Sequence, residues 1–358
     1  MSDQNQQKRY AAPALVSFSS GLLKAAGMQT QLAEVTAQIL VEGDLLGHDT
    51  HGMQLLAKYT AELASGSMRG NGEPEVVSER SSVGVWDGRR LPGPFLVQRA
   101  IEWASGRARE HGTATLAIRR SHHIACLAAY LEAPARAGLM CTVLSSDPAE
   151  QTVAPIGGTR AVFTPNPLAF GIPTDGDPII IDISASVTTN GMSHRLHRAG
   201  QTGAYQWWMT AGGDVTNDPA VLLDNPPGTV LPLGGLDAGH KGYGLALQVE
   251  ALTGGLAGHG RADPKEGFGA TVFVQMTDPE AFAGLDQFNR QTSWIVKTCQ
   301  ENPPRDPQQP VRLPGHRGLA RKREQLEQGV LLHPEILPGL QDLASQYGLQ
   351  LPAPITTV

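Results

Sequence analysis

No stretch of this 358-residue chain approaches the roughly 18 uncharged apolar residues that a helix needs to cross a bilayer. The first residues, MSDQNQQKRYAAPAL, lack the apolar centre of a secretory signal. A soluble, cytoplasmic protein with no membrane partner is therefore expected. Cysteine is scarce. Only Cys126, Cys141 and Cys299 occur, none of them in a CxxC, so neither a disulfide framework nor a structural zinc site is expected. Positive charge is not in excess either, with 28 Lys and Arg against 34 Asp and Glu. Nucleic-acid binding needs a concentrated basic surface. The densest cationic cluster, Arg317, Arg321, Lys322 and Arg323, is closely followed by acids, so no nucleic-acid partner is expected. Four motifs are missing as well. Without GxGxxG there is no Rossmann fingerprint, and without GKS or GKT no P-loop. The absence of HExxH and of GxSxG argues against a zinc protease and a serine hydrolase.

What is present is an ordinary globular composition, 41% hydrophobic and 17% charged, in a chain long enough for one large or two smaller domains. Residues 12–26 and 30–46 have helical spacing, with Leu32, Val35, Ile39 and Leu46 near one face of the second. The segments 53–65 and 94–111 continue the helical pattern. VGVWDG (83–88) reads as a strand ending in a turn. ATLAI (114–118), MCTVLS (140–145), PIIIDIS (178–184) and ATVFVQM (270–276) read as further strands. Residues 123–138 are expected to be helical and 211–236 a long loop. HKGYGLALQVEALTGGLAG (240–258) gives the strongest helical signal, and the proline-rich 301–315 is a connector. Strands alternating with helices indicate an α/β fold.

Several stretches concentrate polar groups that can do chemistry. In GHDTHG (47–52), helical spacing puts His48 and His51 on one face. Three readings stay open there: a helix end with Gly52 as the residue after the cap, an acid/base site, or two ligands of a metal. Imidazole, with a pKa of ~6.5, exchanges protons at neutral pH, and Thr50 adds a hydroxyl. His122 and His123 follow a strand, and reactive groups gather beyond strand ends; Ser121 and the pair read equally as a cap and surface histidines. Asn166, between two prolines, is presented rigidly or forms a structural turn. Asp182, Ser184 and Ser186 end a strand and suit a ribose or phosphate, or a simple cap. Lys241 near a helix start offers an anion site, and Gly315, His316 and Arg317 form a second cationic stop.

GHDTHG, SHHI, VAPIGG, NPLAFGIP, IIIDISAS, VTNDPA, HKGYGLAL and RLPGHRG occur in one order over residues 12–335. Together they resemble the type-2 malate/L-lactate dehydrogenase family, with the look of its bacterial hydroxycarboxylate dehydrogenases. The resemblance implies a non-Rossmann α/β domain that binds NAD or NADP over residues 119–305. It also implies a helical domain built from residues 1–118 and 306–358, and a homodimer. It implies hydride transfer between a 2-hydroxy acid and a 2-oxo acid. His51 would carry the proton and His123 and Thr50 would assist. Leu55, His122 and Asn166 map to the substrate side. Ser146, Asp147, Asp182, Ser184, Ser186, His240, Lys241, Gly315, His316 and Arg317 map to the cofactor side. A cyclic imino acid reductase, or a dinucleotide-binding protein with impaired catalysis, is the alternative. The chain departs from the family pattern at Thr50, where serine is usual, at Leu55, where arginine is frequent, at TPNP for GTNP, and near Thr210. Leucine cannot clamp a carboxylate, so the substrate is expected to be more apolar or to be anchored elsewhere.

Overall fold

A computed structural model describes residues 8–355. Two helices open it, α1 (Ala12–Ala25) and α2 (Thr30–Leu46). Pro13 sits in the first turn of α1, where its missing N–H costs nothing. Leu15, Phe18, Leu22 and Leu23 line its buried face, each contributing roughly 1.5–3 kcal/mol of transfer free energy. Leu32, Ile39 and Leu46 of α2 are buried as the spacing indicates, and Val35 is partly buried. The helix ends at Leu46, as the spacing indicates, and not at a cap just before Gly52. Gly47 takes the left-handed conformation at φ 88°, which glycine adopts without strain. Gly52, at φ −102° and ψ −138°, is not left-handed. His48 and His51 therefore lie beyond the helix, with Asp49–His51 as one 3₁₀ turn and Met53–Leu55 as a second. Helix α3 (Leu56–Ser65) follows, with its buried Thr60 hydroxyl bonded back to the Leu56 carbonyl at 2.9 Å.

A seven-stranded sheet forms the centre. In chain order its strands are β1 (Glu75–Glu79), β2 (Val83–Asp87), β3 (Thr113–Ser121), β4 (Met140–Ser146), β5 (Pro167–Ile172), β6 (Ile179–Ser184) and β7 (Ala270–Thr277). Their spatial order is β1-β2-β3-β7-β4-β5-β6. Only β2 and β3 pair in parallel, joined by α4 (Gly93–His111). All other neighbours are antiparallel. This mixed order is not that of a doubly wound parallel sheet. The late strand β7 sits at the centre, and its first five residues are all buried, which is why ATVFV reads as a continuous apolar run. The division expected at residue 118 falls inside β3, and β1 and β2 precede it.

Residues 123–138 are not one helix. Ala125 has φ 58°, a left-handed backbone that ends any helical run, and only a 3₁₀ turn (Leu127–Tyr130) and Glu132–Arg136 are helical. Helix α5 (Asn190–Arg198) is capped by the Thr189 hydroxyl on Met192 N–H. The 211–236 segment holds two short strands that flank Trp208–Met209 in a three-stranded sheet, with Trp208 fully buried. Helix α6 (Gly235–Glu250) breaks at Ala238 and restarts at Gly239, then widens into a π turn at Ala251–Gly255. Helices α7 (Leu285–Gln300), α8 (His316–Gln328) and α9 (Ile336–Gln346) complete the chain. Arg9–Tyr10 pairs antiparallel with Val330–Leu331, so the two ends meet. Among the described residues no helix is long and apolar enough to cross a membrane.

Candidate active site

The turn after α2 and the loop after β3 bring His51 and His123 face to face. Their rings lie 5.8 Å apart, centroid to centroid, and 24° from parallel. On its other side His123 stacks on Phe268 at 4.6 Å and 18°, and the Lys58 ammonium stands 3.2 Å from the Phe268 ring centre. The loop carrying His123 is seated on the start of α4, where Gly93 lies under the carbonyls of both His122 and His123 and a Cβ has no room. Asp44 fixes the other loop by accepting the Met53 N–H at 2.7 Å.

The hydrogen bonds give the two imidazoles different forms. His123 Nδ1 accepts the Ala125 N–H at 3.2 Å, so the neutral ring carries its proton on Nε2. The Tyr59 hydroxyl donates to the His123 carbonyl at 3.0 Å and lies 3.1 Å from Nδ1. His51 Nδ1 is 2.9 Å from Thr50 Oγ1, a bond that admits either tautomer. Burial pushes the His51 imidazole from 6.5 down to about 4, and His48 and Arg195 push the same way. Burial, then His51, His122 and Lys58, hold His123 well below its ordinary value. Both rings are neutral at pH 7.

His122 points away from this pair. It is fully buried, edge-on to Tyr59 and Phe268 and 3.4 Å from Glu62, and burial pushes it down to about 3. Its ring is packed beneath the loop. Leu55 packs against the main core. Helix α5 covers the His51 turn. A Cβ on Gly191 would be 3.4 Å from Thr50 Cβ and 3.8 Å from His51 Cε1. One turn on, Arg195 donates to Gln54 at 3.2 Å, lies 3.7 Å from Asp49, and leaves its Nε buried without a partner.

The substrate-side assignment of Asn166 meets a physical obstacle. Its side chain is fully buried; it accepts from Thr164 and donates to Glu250 at 2.8 Å and to the Ala246 carbonyl. Ser146 joins the same network, donating to Glu250 at 2.7 Å, and Arg261 pairs with that carboxylate at 2.8 Å. Both residues position β4, β5 and α6 against one another. Asp147 accepts the N–H groups of Ala149 and Gly269. Asp182 also turns inward, accepting the Ala128 N–H at 2.9 Å beside Cys126 Sγ at 3.8 Å. Its Oδ2 is thus engaged within the protein.

Three other stretches converge on β6. Gly242 packs without room for a Cβ under Leu233 and Ala185, which sets the start of the restarted α6 helix against the end of β6. Ser184 donates to the Ser186 carbonyl at 2.9 Å, and Ser186 to Thr188 at 2.7 Å. Gly315, at φ 85°, packs on Ile180, whose N–H donates to Pro314. His240, Lys241 and Arg317 are exposed around this region, and His316 leaves Nε2 buried without a partner. Sequence reading missed Tyr59, Phe268, Arg195, Glu250 and Arg261. Only Tyr59 carried a signal, since it shares a helical face with Leu56 and Leu63.

The malate/L-lactate dehydrogenase family model matches residues 10–341. This chain belongs to that family. An L-lactate dehydrogenase of Cupriavidus necator is 29% identical over 92% of this chain and 95% of its own. A (2R)-3-sulfolactate dehydrogenase (NADP(+)) of Chromohalobacter salexigens is 33% identical over 85% and 89%. The crystal structure of malate dehydrogenase from Entamoeba histolytica superposes with a TM-score of 0.91 at 25% identity, covering 97% of this chain and all of that one. Family membership makes the chain an oxidoreductase of the hydroxy acid dehydrogenase kind and accounts for the mixed sheet in place of a Rossmann fold.

Proposed function

We propose that this family member interconverts a 2-hydroxy acid and a 2-oxo acid with NAD or NADP, and that His51 carries the proton. The observation that carries the reading is the pair of stacked neutral imidazoles with complementary hydrogen-bond roles. His123, with Nδ1 occupied by a backbone N–H, has only an Nε2–H to offer, which donates to the oxygen on the reacting carbon. His51 is free to hold Nδ1–H against Thr50 Oγ1, leaving Nε2 bare as a base. In oxidation His51 takes the hydroxyl proton as hydride leaves the carbon. In reduction it returns that proton. Such help is worth ~10²–10⁴-fold.

The residues around β6 suit a dinucleotide. Lys241 and Arg317 are exposed cations, His316 has an orphaned buried nitrogen, and a helix restarts at Gly239. These groups, with Ser184 and His240, would hold the anionic bridge at a helix start. When bound, the nicotinamide supplies or takes up the hydride. Titration of NADH and NADPH, followed by a panel of 2-oxo acids and cyclic imino acids read by loss of reduced-cofactor absorbance, tests the reading. Turnover of a 2-oxo acid is expected. Cofactor binding without turnover of any panel member would overturn it. Light scattering tests the homodimer that this reading includes.

A further inference from the structure

Three residues far apart in the sequence meet beside the two histidine loops. The ring of His48, the thiol of Cys126 and the carboxylate of Asp182 put one donor atom each within 4.8 Å of one another. They come from three separate elements: the turn after α2, the loop after β3 and the end of β6. The donors make few bonds of their own. Among the described residues, Asp182 is the one side chain that Cys126 Sγ meets, and the Asp182 carboxylate accepts from Cys126 and the Ala128 N–H through Oδ2, leaving Oδ1 open. No His48 ring hydrogen bond is formed among them.

We propose that His48, Cys126 and Asp182 bind one divalent transition-metal ion of the zinc class, which pins the His51 turn and the His123 loop to the sheet. One of the three separations is close to what such an ion imposes. With Zn–S near 2.3 Å and Zn–O near 2.1 Å, a tetrahedral site separates sulfur and oxygen by about 3.6 Å; Cys126 Sγ and Asp182 Oδ2 lie 3.8 Å apart. Thiolate with imidazole and carboxylate selects zinc or cobalt over magnesium or calcium, which take oxygen ligands. Binding sends the Sγ proton to water as the metal–sulfur bond forms. Cys126 is buried while His48 and Asp182 are only partly buried, so the ion enters from their side and keeps a water as its fourth ligand. His48 stands three residues before His51 and Cys126 three after His123. The ion therefore bridges the loops whose rings stack, and its role is structural.

The test uses chelator-treated full-length protein and does not depend on the proposed reaction. Titration with Co²⁺ is expected to produce a thiolate-to-cobalt charge-transfer band, saturating at one ion per chain and abolished by Zn²⁺ but not Mg²⁺. Cys126→Ser is expected to remove that band, and Cys141→Ser and Cys299→Ser to keep it. His48→Gln is expected to weaken cobalt affinity at least tenfold and covers the case in which Cys126→Ser does not fold. No thiolate band in the unaltered protein, or a band that survives in Cys126→Ser, overturns the proposal. So does unchanged affinity in His48→Gln.

Discussion

At the scale of the residue, the two imidazoles and one aspartate make predictions that pH can test. His51 sits near 4 rather than 6.5 because burial disfavours its cation. The rate constant kcat/KM reports groups of the free enzyme. In the oxidation direction it is expected to stay flat down through 6.5 and fall only as pH approaches about 4. In reduction, which needs protonated His51, it is expected to fall steadily as pH rises above that value. A limb near 6.5 in both directions would remove His51 from the role. His51→Gln should lower turnover by about 10²–10⁴-fold while NADH or NADPH fluorescence titration stays unchanged. Asp44 gives the opposite kind of shift. Burial pushes its carboxyl up to about 8 against the pull of the Met53 N–H. Its folded value lies above its unfolded one, so its stabilising contribution is lost as pH rises through about 8. Asp44→Asn keeps an oxygen for Met53 and should abolish that loss of thermal midpoint. Asp44→Ala leaves the N–H unpaired and should cost about 1–3 kcal/mol in acid, a gap that shrinks as pH rises through about 8 and the unaltered protein loses its own contribution.

At the scale of the element, helix α4 contains its own control experiment. Gly93 has no room for a Cβ beneath the His122 and His123 carbonyls, while Gly106 in the same helix has nothing within 4 Å. Gly93→Ala is expected to cost ~1–3 kcal/mol by overpacking and to lower turnover by shifting His123. Gly106→Ala should raise stability by about 0.5–1 kcal/mol with turnover unchanged. Calorimetry with parallel rate measurements separates them; equal behaviour of the two variants would mean that the His123 loop does not rest on Gly93. The same elements explain what the sequence made legible. Faces set by local periodicity were readable, as Leu32, Ile39 and Leu46 are all buried. Backbone in the left-handed region at a non-glycine was not, because nothing in the letter alanine at 125 announces φ 58°, and a helix was expected through it. The end of α2 at Leu46 was legible, whereas the reading of Gly52 as the residue after a helix cap fails for a related reason. GHDTHG offers two glycines, and only the packed fold decides that Gly47 rather than Gly52 ends the helix. His51 and His123 were legible through their motifs. Phe268 and Arg195 reach them from distant elements, so no spacing pointed there.

At the scale of the whole molecule, the two chain ends are joined through charge as well as through the Arg9–Tyr10 pairing. Lys322 of α8 contacts Glu42 of α2 at 2.5 Å and Glu132 beside the sheet at 2.8 Å, all three side chains about one-fifth exposed. Burial raises Glu42 despite Lys322, and Glu132 adds repulsion. For Glu132, burial also raises, but bonds from Lys322 and Arg136 outweigh it and hold its carboxyl low. The ammonium is thus the counterion that lets two carboxylates share one crevice. Lys322→Met removes it and keeps the apolar stem. The expected cost is about 1–3 kcal/mol, less than the 3–5 of a fully buried pair because water still reaches these groups. The sign of its pH dependence is distinctive. In the unaltered protein the Glu132 contribution is lost as pH falls through its lowered folded value. In the variant, acid instead relieves the repulsion between the two carboxylates. The stability gap between the two proteins should therefore narrow as pH falls, read from urea midpoints at matched ionic strength. Hydrogen exchange should locate the loosening in α8 and the end of α2, leaving the β3–β7–β4 centre protected. A gap that widened in acid, or exchange that spread evenly over the sheet, would mean that Lys322 does not join the ends.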